Sequence, residues 1–153
     1  MSIRYKLQNL KMRQLASIEE ENKQFSGSRI PVKRILVGIN SDNGEEKLEL
    51  LLPKLKGKEI VRLGTEGDGI IITKKDINIF NMPKKRILDR IRSQEFELFI
   101  DLCDSFFFPV ASAAVVCRIP YRVSFSNNVQ KPYANIILPP LPAGIDYLLK
   151  IFS

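Results

Sequence analysis

The chain has 153 residues, of which 44% are hydrophobic and 27% charged; this composition indicates one ordinary globular domain and excludes a disordered protein. The absence of histidine excludes every mechanism that needs imidazole as a general base, metal ligand or proton shuttle. The net charge is +7, and no apolar run approaches the roughly 18 residues of a membrane-spanning helix, so we expect a soluble, cytoplasmic, basic protein.

The N-terminal region is predicted to be a helix and a linker. Residues 1–25 are predicted to form an amphipathic helix, because their apolar side chains recur at helical spacing without proline or glycine. Residues 1–35 carry eight basic and three acidic side chains, so much of the basic excess lies here. Such an arm suits a protein partner, a phosphate-rich partner or an anionic membrane face, or it is a solvated helix face. Residues 26–31 are the predicted linker to a single domain, residues 32–153.

The domain is predicted to open with a strand, a turn and a helix. The apolar run at residues 33–39 (KRILVGI) is typical of a buried parallel strand. Residues 40–44 (NSDNG) are turn residues, and Asn43 or Gly44 is predicted to begin the helix that follows. Pro53 should end or bend that helix near its last turn.

Two short strands and a second helix follow. The strands are predicted at residues 59–63 and 69–73, separated by the turn sequence GTEGDG. Residues 75–82 are predicted to be an irregular connection. Pro83 is expected at the first position of the next helix, KKRILDRIRSQ.

Residues 96–125 carry the strongest signal for the fold. They indicate a buried strand (FELFIDL), a helix rich in alanine and aromatic side chains, and a second buried strand (YRVSF). A last strand in the sequence NIILPPLP, which stops at the prolines, and a closing helix at residues 144–152 complete the pattern. The sequence therefore predicts a three-layer α/β fold with a mainly parallel, Rossmann-like sheet and helices on both faces, preceded by the N-terminal helix.

Parts of the chain resemble known families. Residues 96–126, FELFIDL to YRVSFS, resemble the N-terminal half of the heptosyltransferase-type glycosyltransferases, in which a DLVIDL strand leads to a helix and an RIGF strand. Ser124 stands where that family has the glycine. Across the whole chain, KRILVGI, KKDINIF and PKKRILDRI are similar to a family of small bacterial proteins of unknown function. The second resemblance implies a lone Rossmann-like domain and supplies no activity.

The glycine-rich stretch at residues 62–73 (RLGTEGDGIIIT) also resembles the Gly-Asp loop of the heptosyltransferases, whose aspartate is the catalytic base. The resemblance implies that role for Asp68, although the loop here follows the second predicted strand and not the first. Gly64, Gly67 and Gly69 are candidates for cradling a phosphate, but their spacing fits neither phosphate-binding fingerprint and no helix is predicted after them. A tight turn with glycines at positive φ is the simpler interpretation.

Polar residues after two predicted strands form the other candidate site. Asp101, Asp104 and Ser105 follow the FELFIDL strand, and Asn40 and Ser41 follow the first strand; Asn40, Ser41 and Ser105 are candidate ligand-binding residues. Ligands bind at such strand ends in open α/β sheets. Paired carboxylates there could hold Mg²⁺ or act as acid and base. Alternatively, Asp104 or Ser105 caps the next helix while Asp101 faces solvent.

Both cysteines are expected to be buried and unreactive. Cys103 and Cys117 lie in apolar stretches, and two cysteines cannot form a disulfide framework or a four-ligand zinc site. We predict no resident metal and no cofactor.

Two surface features could bind macromolecules. Phe106, Phe107 and Phe108 belong either to the core or to an interface with a partner or a second copy of the chain. The helix after Pro83 carries a basic face, but it lacks the stacking aromatics and docking motif that nucleic-acid binding would favour. That basic face consists of Lys84, Lys85, Arg86, Arg90 and Arg92.

The functional expectation is a non-catalytic α/β domain that binds a protein partner or a small ligand, such as a nucleotide or nucleotide sugar, at the strand ends. The resemblance implies a relationship to a glycosyltransferase N-terminal half. One alternative is a small enzyme for glycosyl transfer or nucleotide-sugar chemistry that uses Asp101, Asp104 or Asp68. The other is an electrostatic nucleic-acid binder, whose binding would weaken as salt rises.

Overall fold

A computed structural model of the protein describes residues 29–125 and 133–153. The predicted helix at residues 1–25 and the first part of the predicted linker lie outside the described residues. Within the described part, no helix is long and apolar enough to cross a membrane.

A six-stranded sheet, parallel in every pairing, forms the centre of the fold in the order β3-β2-β1-β4-β5-β6. In the described residues, the strands are β1 (Arg34–Ile39), β2 (Glu59–Gly64), β3 (Ile70–Ile71), β4 (Leu98–Asp101), β5 (Tyr121–Ser124) and β6 (Ile136–Ile137). The helices of the same residues are α1 (Asp42–Leu51), α2 (Lys85–Arg92), α3 (Phe108–Val116) and α4 (Gly144–Ile151), with 3₁₀ helices at Leu52–Lys54 and Lys74–Asp76. The predicted Rossmann-like α/β fold is confirmed.

Side chains that alternate along β1 divide the core into two layers, one on each face of the sheet. Ile35, Val37 and Ile39 pack with α1 and α4, whereas Leu36 packs with α2 and α3. The chain crosses from β1 to β2 toward one edge of the sheet and from β3 to β4 toward the other edge. Since both crossovers are right-handed, α1 and α2 must lie on opposite faces of the sheet. The predicted three-layer arrangement is therefore confirmed.

The first helix begins one or two residues earlier than predicted. Helix α1 starts at Asp42, not at Asn43 or Gly44, because Ser41 is its N-cap. The Ser41 hydroxyl accepts a hydrogen bond from the backbone N–H of Gly44 at 3.2 Å. Pro53 lies in the 3₁₀ helix directly after α1, which confirms that it ends the helix.

The second helix begins later than predicted. Helix α2 starts at Lys85, so Pro83 is not its first residue. Pro83 instead pairs with Ile77 across an antiparallel bridge, and the N–H of Lys84 donates to the carbonyl oxygen of Asp76 at 2.6 Å. The bridge and the hydrogen bond close a loop, and helix α2 begins after it.

The two edge strands are shorter than predicted. Strand β3 has two residues of the predicted 69–73, and β6 has two of the four residues, 135–138, predicted before the prolines. Strand β3 ends early because Thr73 is the N-cap of the following 3₁₀ helix and its hydroxyl and N–H both donate to Asp76. Strand β6 is followed by prolines, which cannot donate to a ladder.

A buried arginine fixes the chain before β6. Arg122 on β5 is fully buried, and its Nε and Nη1 donate to the carbonyl oxygens of Tyr133 and Ile119, both at 2.9 Å. Asn135 joins the same junction, because its Oδ1 accepts from the N–H of Arg122 at 2.7 Å and its Nδ2 donates to the carbonyl of Pro120 at 2.8 Å. These bonds hold the start of β6 against β5.

The beginning of the first described segment and the end of the second meet at the amino edge of the sheet. The N–H of Ile30 donates to the carbonyl of Ile151 at 2.8 Å, and the N–H of Ser153 donates to the carbonyl of Ile30 at 2.9 Å. Lys58 Nζ donates to the carbonyl oxygens of Val32 at 2.5 Å and Ser153 at 2.7 Å. The entry to β1 and the exit from α4 therefore lie side by side.

Gly38 allows α3 to pack closely on the centre of the sheet. A Cβ atom at this position would lie 2.5 Å from Cγ1 of Val110 and 3.1 Å from two ring atoms of Phe99. Val110 belongs to α3 and Phe99 to β4, so this contact joins three elements. Any side chain at position 38 would have to push them apart.

We expect Gly38→Ala to lower the free energy of unfolding by about 1–3 kcal/mol, the usual cost of overpacking a core. Urea unfolding measures the loss. The double variant Gly38→Ala/Val110→Ala should lose less than the two single changes together, because it removes the methyl group that the new Cβ meets. Strictly additive losses would contradict this contact.

Candidate functional site

The carboxyl ends of β1 and β4 are adjacent, and the helices that follow them diverge. Helix α1 packs on one face of the sheet and α3 on the other, which makes this the switch point where open α/β sheets bind ligands. A cavity of about 470 Å³ lies beside it, between α1 and the segments after β4, β5 and β6. Its main polar lining residues are Asn43, Glu46, Lys47, Asp101, Asp104 and Ser124. Its apolar wall includes Leu50, Leu102, Phe125 and Leu141.

Asp104 joins the ends of β1 and β4. Its carboxylate accepts hydrogen bonds from Ser41 Oγ at 2.5 Å and Asn43 Nδ2 at 2.6 Å, and Lys47 Nζ lies 3.6 Å from its Oδ1. Its backbone N–H donates to Asn40 Oδ1 at 3.3 Å. The bonds from Ser41 and Asn43, followed by the charge of Lys47, hold the pKa of Asp104 below its ordinary value. The structure thus brings together three residues predicted for this site, Asn40, Ser41 and Asp104.

The N-terminus of α1 is occupied by side chains of the chain itself. Ser41 Oγ accepts from the N–H of Gly44, and the same hydroxyl donates to the Asp104 carboxylate. Asp42 and Glu45 add negative charge to the first turn. A phosphate, which helix N-termini bind in nucleotide-binding α/β folds, would meet these carboxylates. The local charge therefore disfavours a nucleotide at this helix.

Asp101 ends β4 and lines the cavity, so the interpretation that it simply faces solvent is wrong. The side chain is half-buried, and its Oδ1 accepts a hydrogen bond from the N–H of Cys103 at 3.0 Å. Burial raises the pKa of Asp101, and the bond from Cys103 and the charge of Lys47 offset only part of that effect. The site thus combines a carboxyl group that resists ionisation with one, Asp104, that ionises readily.

Neither Asp104 nor Ser105 caps the next helix, and that interpretation is also wrong. Helix α3 begins at Phe108 with Phe107 as its N-cap residue, and no side chain caps it. Pro109 has no N–H, which leaves one donor fewer to satisfy in the first turn. Ser105 is exposed and does not line the cavity, whereas Asp104 bonds to the turn after β1.

Both cysteines are half-buried, so the expectation that they are buried is wrong, but their surroundings make both thiols harder to ionise. Burial is the main cause that raises the pKa of the Cys103 thiol, and the neighbouring Asp101 raises it further. Burial likewise raises the pKa of Cys117 to about 11. Neither thiol is an activated nucleophile. Among residues 29–125 and 133–153, no group of three or more metal-ligating side chains could hold an ion.

The glycine-rich loop between β2 and β3 lies on the far side of β1 from the cavity, and Asp68 does not line that cavity. Gly67 and Gly69 have φ angles of +87° and +95°, which confirms a tight turn. For Gly64 the positive-φ interpretation is wrong. It ends β2, and a Cβ there would lie 2.3 Å from the carbonyl oxygen of Ile39, so close contact between strands requires the glycine. Strand β3, not a helix, follows this loop.

The phenylalanines after β4 pack within the fold. The rings of Phe106 and Phe108 have their centroids 4.4 Å and 6.3 Å from that of Tyr133. Phe108 is buried in an apolar cluster with Met82 and Ala111. These contacts favour the core interpretation, and an interface with a partner or a second copy stays a prediction.

Sequence reasoning missed four polar residues of the cavity, Asn43, Glu46, Lys47 and Ser124. Lys47 lies four residues after Asn43, so the two share one face of α1, and this spacing was the available signal. Ser124 pairs in register with Asp101 at the ends of β5 and β4. An alignment of the predicted strand ends could have found it.

No protein-family model matches the chain, and comparisons with curated proteins and with solved structures find no match. The resemblances to the glycosyltransferases and to the small bacterial family therefore stay predictions.

The pKa of Asp104 should rise toward 3.8 in Ser41→Ala, because the Ser41 hydroxyl makes the largest contribution to lowering it. An NMR pH titration of the side-chain carboxyl resonance measures the change. Lys47→Met should raise the pKa less, since the charge of Lys47 contributes less than the hydrogen bond. The reverse order would mean that charge, and not hydrogen bonding, controls this carboxylate.

The stability of Asp101→Asn should depend on pH in a defined direction. The pKa of Asp101 is higher in the folded protein than in the unfolded chain. Protonation of Asp101 therefore favours folding below the unfolded-state pKa, about 4, and this contribution to stability is lost as the pH rises through the folded-state pKa. The substituted asparagine cannot ionise, so the variant does not lose stability in this way. Its free energy of unfolding relative to that of the natural protein should therefore increase from about pH 4 toward neutrality. Urea unfolding across that range measures it. The exposed Asp68→Asn is the control, and a pH-independent difference for Asp101→Asn would contradict the expectation.

Proposed function

We propose that the protein is a non-catalytic domain that binds a small ligand in the cavity at the switch point. The observation that carries the proposal is the cavity of about 470 Å³ at the carboxyl ends of β4 and β5. Its position is where open α/β sheets bind ligands, and its size falls within the roughly 300–1,000 Å³ of small-molecule sites. Polar groups and an apolar wall together would fix the orientation of a bound molecule.

The charge of the lining favours a ligand that donates hydrogen bonds. Three carboxyl groups, those of Glu46, Asp101 and Asp104, are accompanied by one ammonium group, that of Lys47. Ser124 adds a hydroxyl next to Asp101. A small amine, an amino sugar or a polyol with one apolar face suits this arrangement, because its N–H and O–H groups can meet the carboxyl oxygens.

Nucleotides and nucleotide sugars suit the site less well than the family resemblance implies. The Asp104 carboxylate and the Ser41 hydroxyl already meet at the N-terminus of α1, where a phosphate would otherwise bind. The glycine-rich loop lies beyond β1 and lacks a following helix. This proposal is compatible with a relationship to the N-terminal half of a glycosyltransferase that no longer binds its nucleotide-sugar donor.

The raised pKa values of the two thiols and the absence of histidine from the sequence support binding over catalysis. The pKa of Cys103 is raised, and the chain contains no histidine to serve as a base. Free thiols at Cys103 and Cys117 suit a reducing compartment, and we propose the cytoplasm.

A second candidate function is acid–base catalysis by Asp101. One observation favours it, because burial raises the pKa of this carboxyl group inside a cavity, and such groups are common among catalytic acids and bases. In that case the bound ligand would be converted and not merely retained.

An amide NMR titration with glucosamine, glucose and UDP tests the proposal. Glucosamine should cause saturable shifts at Asn43, Lys47, residues 101–104 and Ser124, whereas UDP should not. Asp101→Asn should weaken glucosamine binding at least about tenfold, because a hydrogen bond to a charged group contributes roughly 1.5–3 kcal/mol and 1.4 kcal/mol is tenfold.

The matched control is Asp68→Asn, which makes the same chemical change at an exposed position outside the cavity. It should leave glucosamine binding unchanged. Saturable UDP shifts at residues 64–69 would contradict the proposal and favour a nucleotide site. Product formation that Asp101→Asn abolishes while binding survives would favour the second candidate, catalysis.

A further inference from the structure

The loop between the second 3₁₀ helix and α2, residues 77–83, which we call the tip loop, presents apolar side chains to solvent. Ile79 is 80% exposed and Phe80 is 48% exposed. The tip loop lies at the carboxyl edge of the sheet, because β3 ends at this edge and α2 must start there to lead back to the beginning of β4. Large apolar side chains exposed together mark an interaction site.

The backbone of the tip loop is held in one shape by its own hydrogen bonds. Asn78 Oδ1 accepts from the N–H groups of Phe80 at 2.9 Å and Met82 at 3.1 Å. The N–H of Asn78 donates to the carbonyl of Met82, and Asn81, at a φ of +62°, donates to the carbonyl of Asn78, both at 2.9 Å. Ile79 therefore projects from a preformed turn, which lowers the entropic cost of binding.

The base of the tip loop is strongly basic on both sides. Residues 74–86 carry five basic side chains and one acidic side chain. The acidic one, Asp76, is buried and forms an ion pair with Arg86. The five basic side chains are all exposed: Lys74, Lys75, Lys84, Lys85 and Arg86. Within the described part of the chain, Lys74, Lys75 and Lys84 form no ion pair at all.

We propose that the tip loop docks the protein onto an anionic lipid surface. Ile79, the most exposed side chain of the loop, enters the boundary between headgroups and acyl chains, and the flanking lysines contact lipid phosphates. The order of the groups matches that interface, with apolar side chains at the apex and ammonium groups at the base. Each added cation near an anionic leaflet strengthens the attraction. This proposal does not depend on a ligand in the cavity.

A nucleic acid fits the tip loop less well than a lipid surface. Binding of a single strand relies on several aromatic faces on which successive bases stack. The tip loop offers one aromatic side chain, Phe80, and its most exposed residue, Ile79, has no ring. An aliphatic apex surrounded by cations therefore favours insertion into lipid over base stacking.

Co-sedimentation of the full chain with vesicles tests the proposal. Vesicles of phosphatidylcholine mixed with phosphatidylglycerol should bind at least about tenfold more tightly than vesicles of phosphatidylcholine alone. Binding should weaken as salt is raised from about 0.1 M to about 1 M, because the screening length falls from ~10 Å to ~3 Å.

Two variants separate the apolar contribution from the electrostatic one. Ile79→Ser removes the apolar apex, and Lys74→Glu/Lys75→Glu reverses two charges at the base. Each should weaken binding to the mixed vesicles about tenfold or more. Both variants change exposed side chains, so the fold should be retained.

The matched controls make the same kinds of change elsewhere. Tyr147→Ser removes an exposed apolar side chain of α4, and Lys54→Glu/Lys56→Glu reverses two exposed charges between α1 and β2, at the amino edge. Both should leave binding unchanged. Vesicle binding that neither tip variant weakens would assign it to another part of the chain and overturn the proposal. Binding of labelled oligouridine that the tip variants abolish, without vesicle binding, would overturn it in favour of RNA.

Discussion

The pairing of β1 on both of its sides is the constraint on which the rest of the structure depends. It pairs with β2 along its full length and with β4 over four residues, and its side chains supply both core layers. Because the helices after β1 and β4 leave on opposite faces, a space remains between their ends. A shift of β1 by one residue would exchange Val37 and Leu36 between the layers and separate Ser41 from Asp104.

The Asp104 carboxylate changes the chemistry expected at that space. In an open α/β sheet, the donors at the start of the first helix are well placed to bind an anionic ligand. Here the side chains of Ser41 and Asn43 donate instead to the carboxylate of Asp104, which belongs to the chain itself, and Lys47 lies close to the same carboxylate. The switch point keeps its usual position, but three carboxyl groups and one ammonium group line the cavity beside it. Burial raises the pKa of the neighbouring Asp101, so the two carboxyl groups at this edge differ in how readily they ionise.

The sequence predicts the fold better than it predicts the site. Apolar runs located the strands and helices because buried parallel strands are apolar on both faces. Asp101 and Asp104 could be assigned to the end of a strand because they directly follow one of these apolar runs. The partners of Asp104 could not, since Ser41 lies 63 residues away in the chain and only the sheet brings the two together. Gly64 was misinterpreted because its restriction comes from a carbonyl on the neighbouring strand and not from its own φ.

The hydrogen bonds between Ile30 and the residues around Ser153 place the entry and the exit of the fold side by side at the amino edge. Adjacent ends are what permit a domain to be inserted into a surface loop of another protein or to be circularly permuted. The cavity and the tip loop both lie at the opposite edge. An attachment made at the amino edge would therefore lie on the opposite side of the sheet's ends from the cavity and the tip loop.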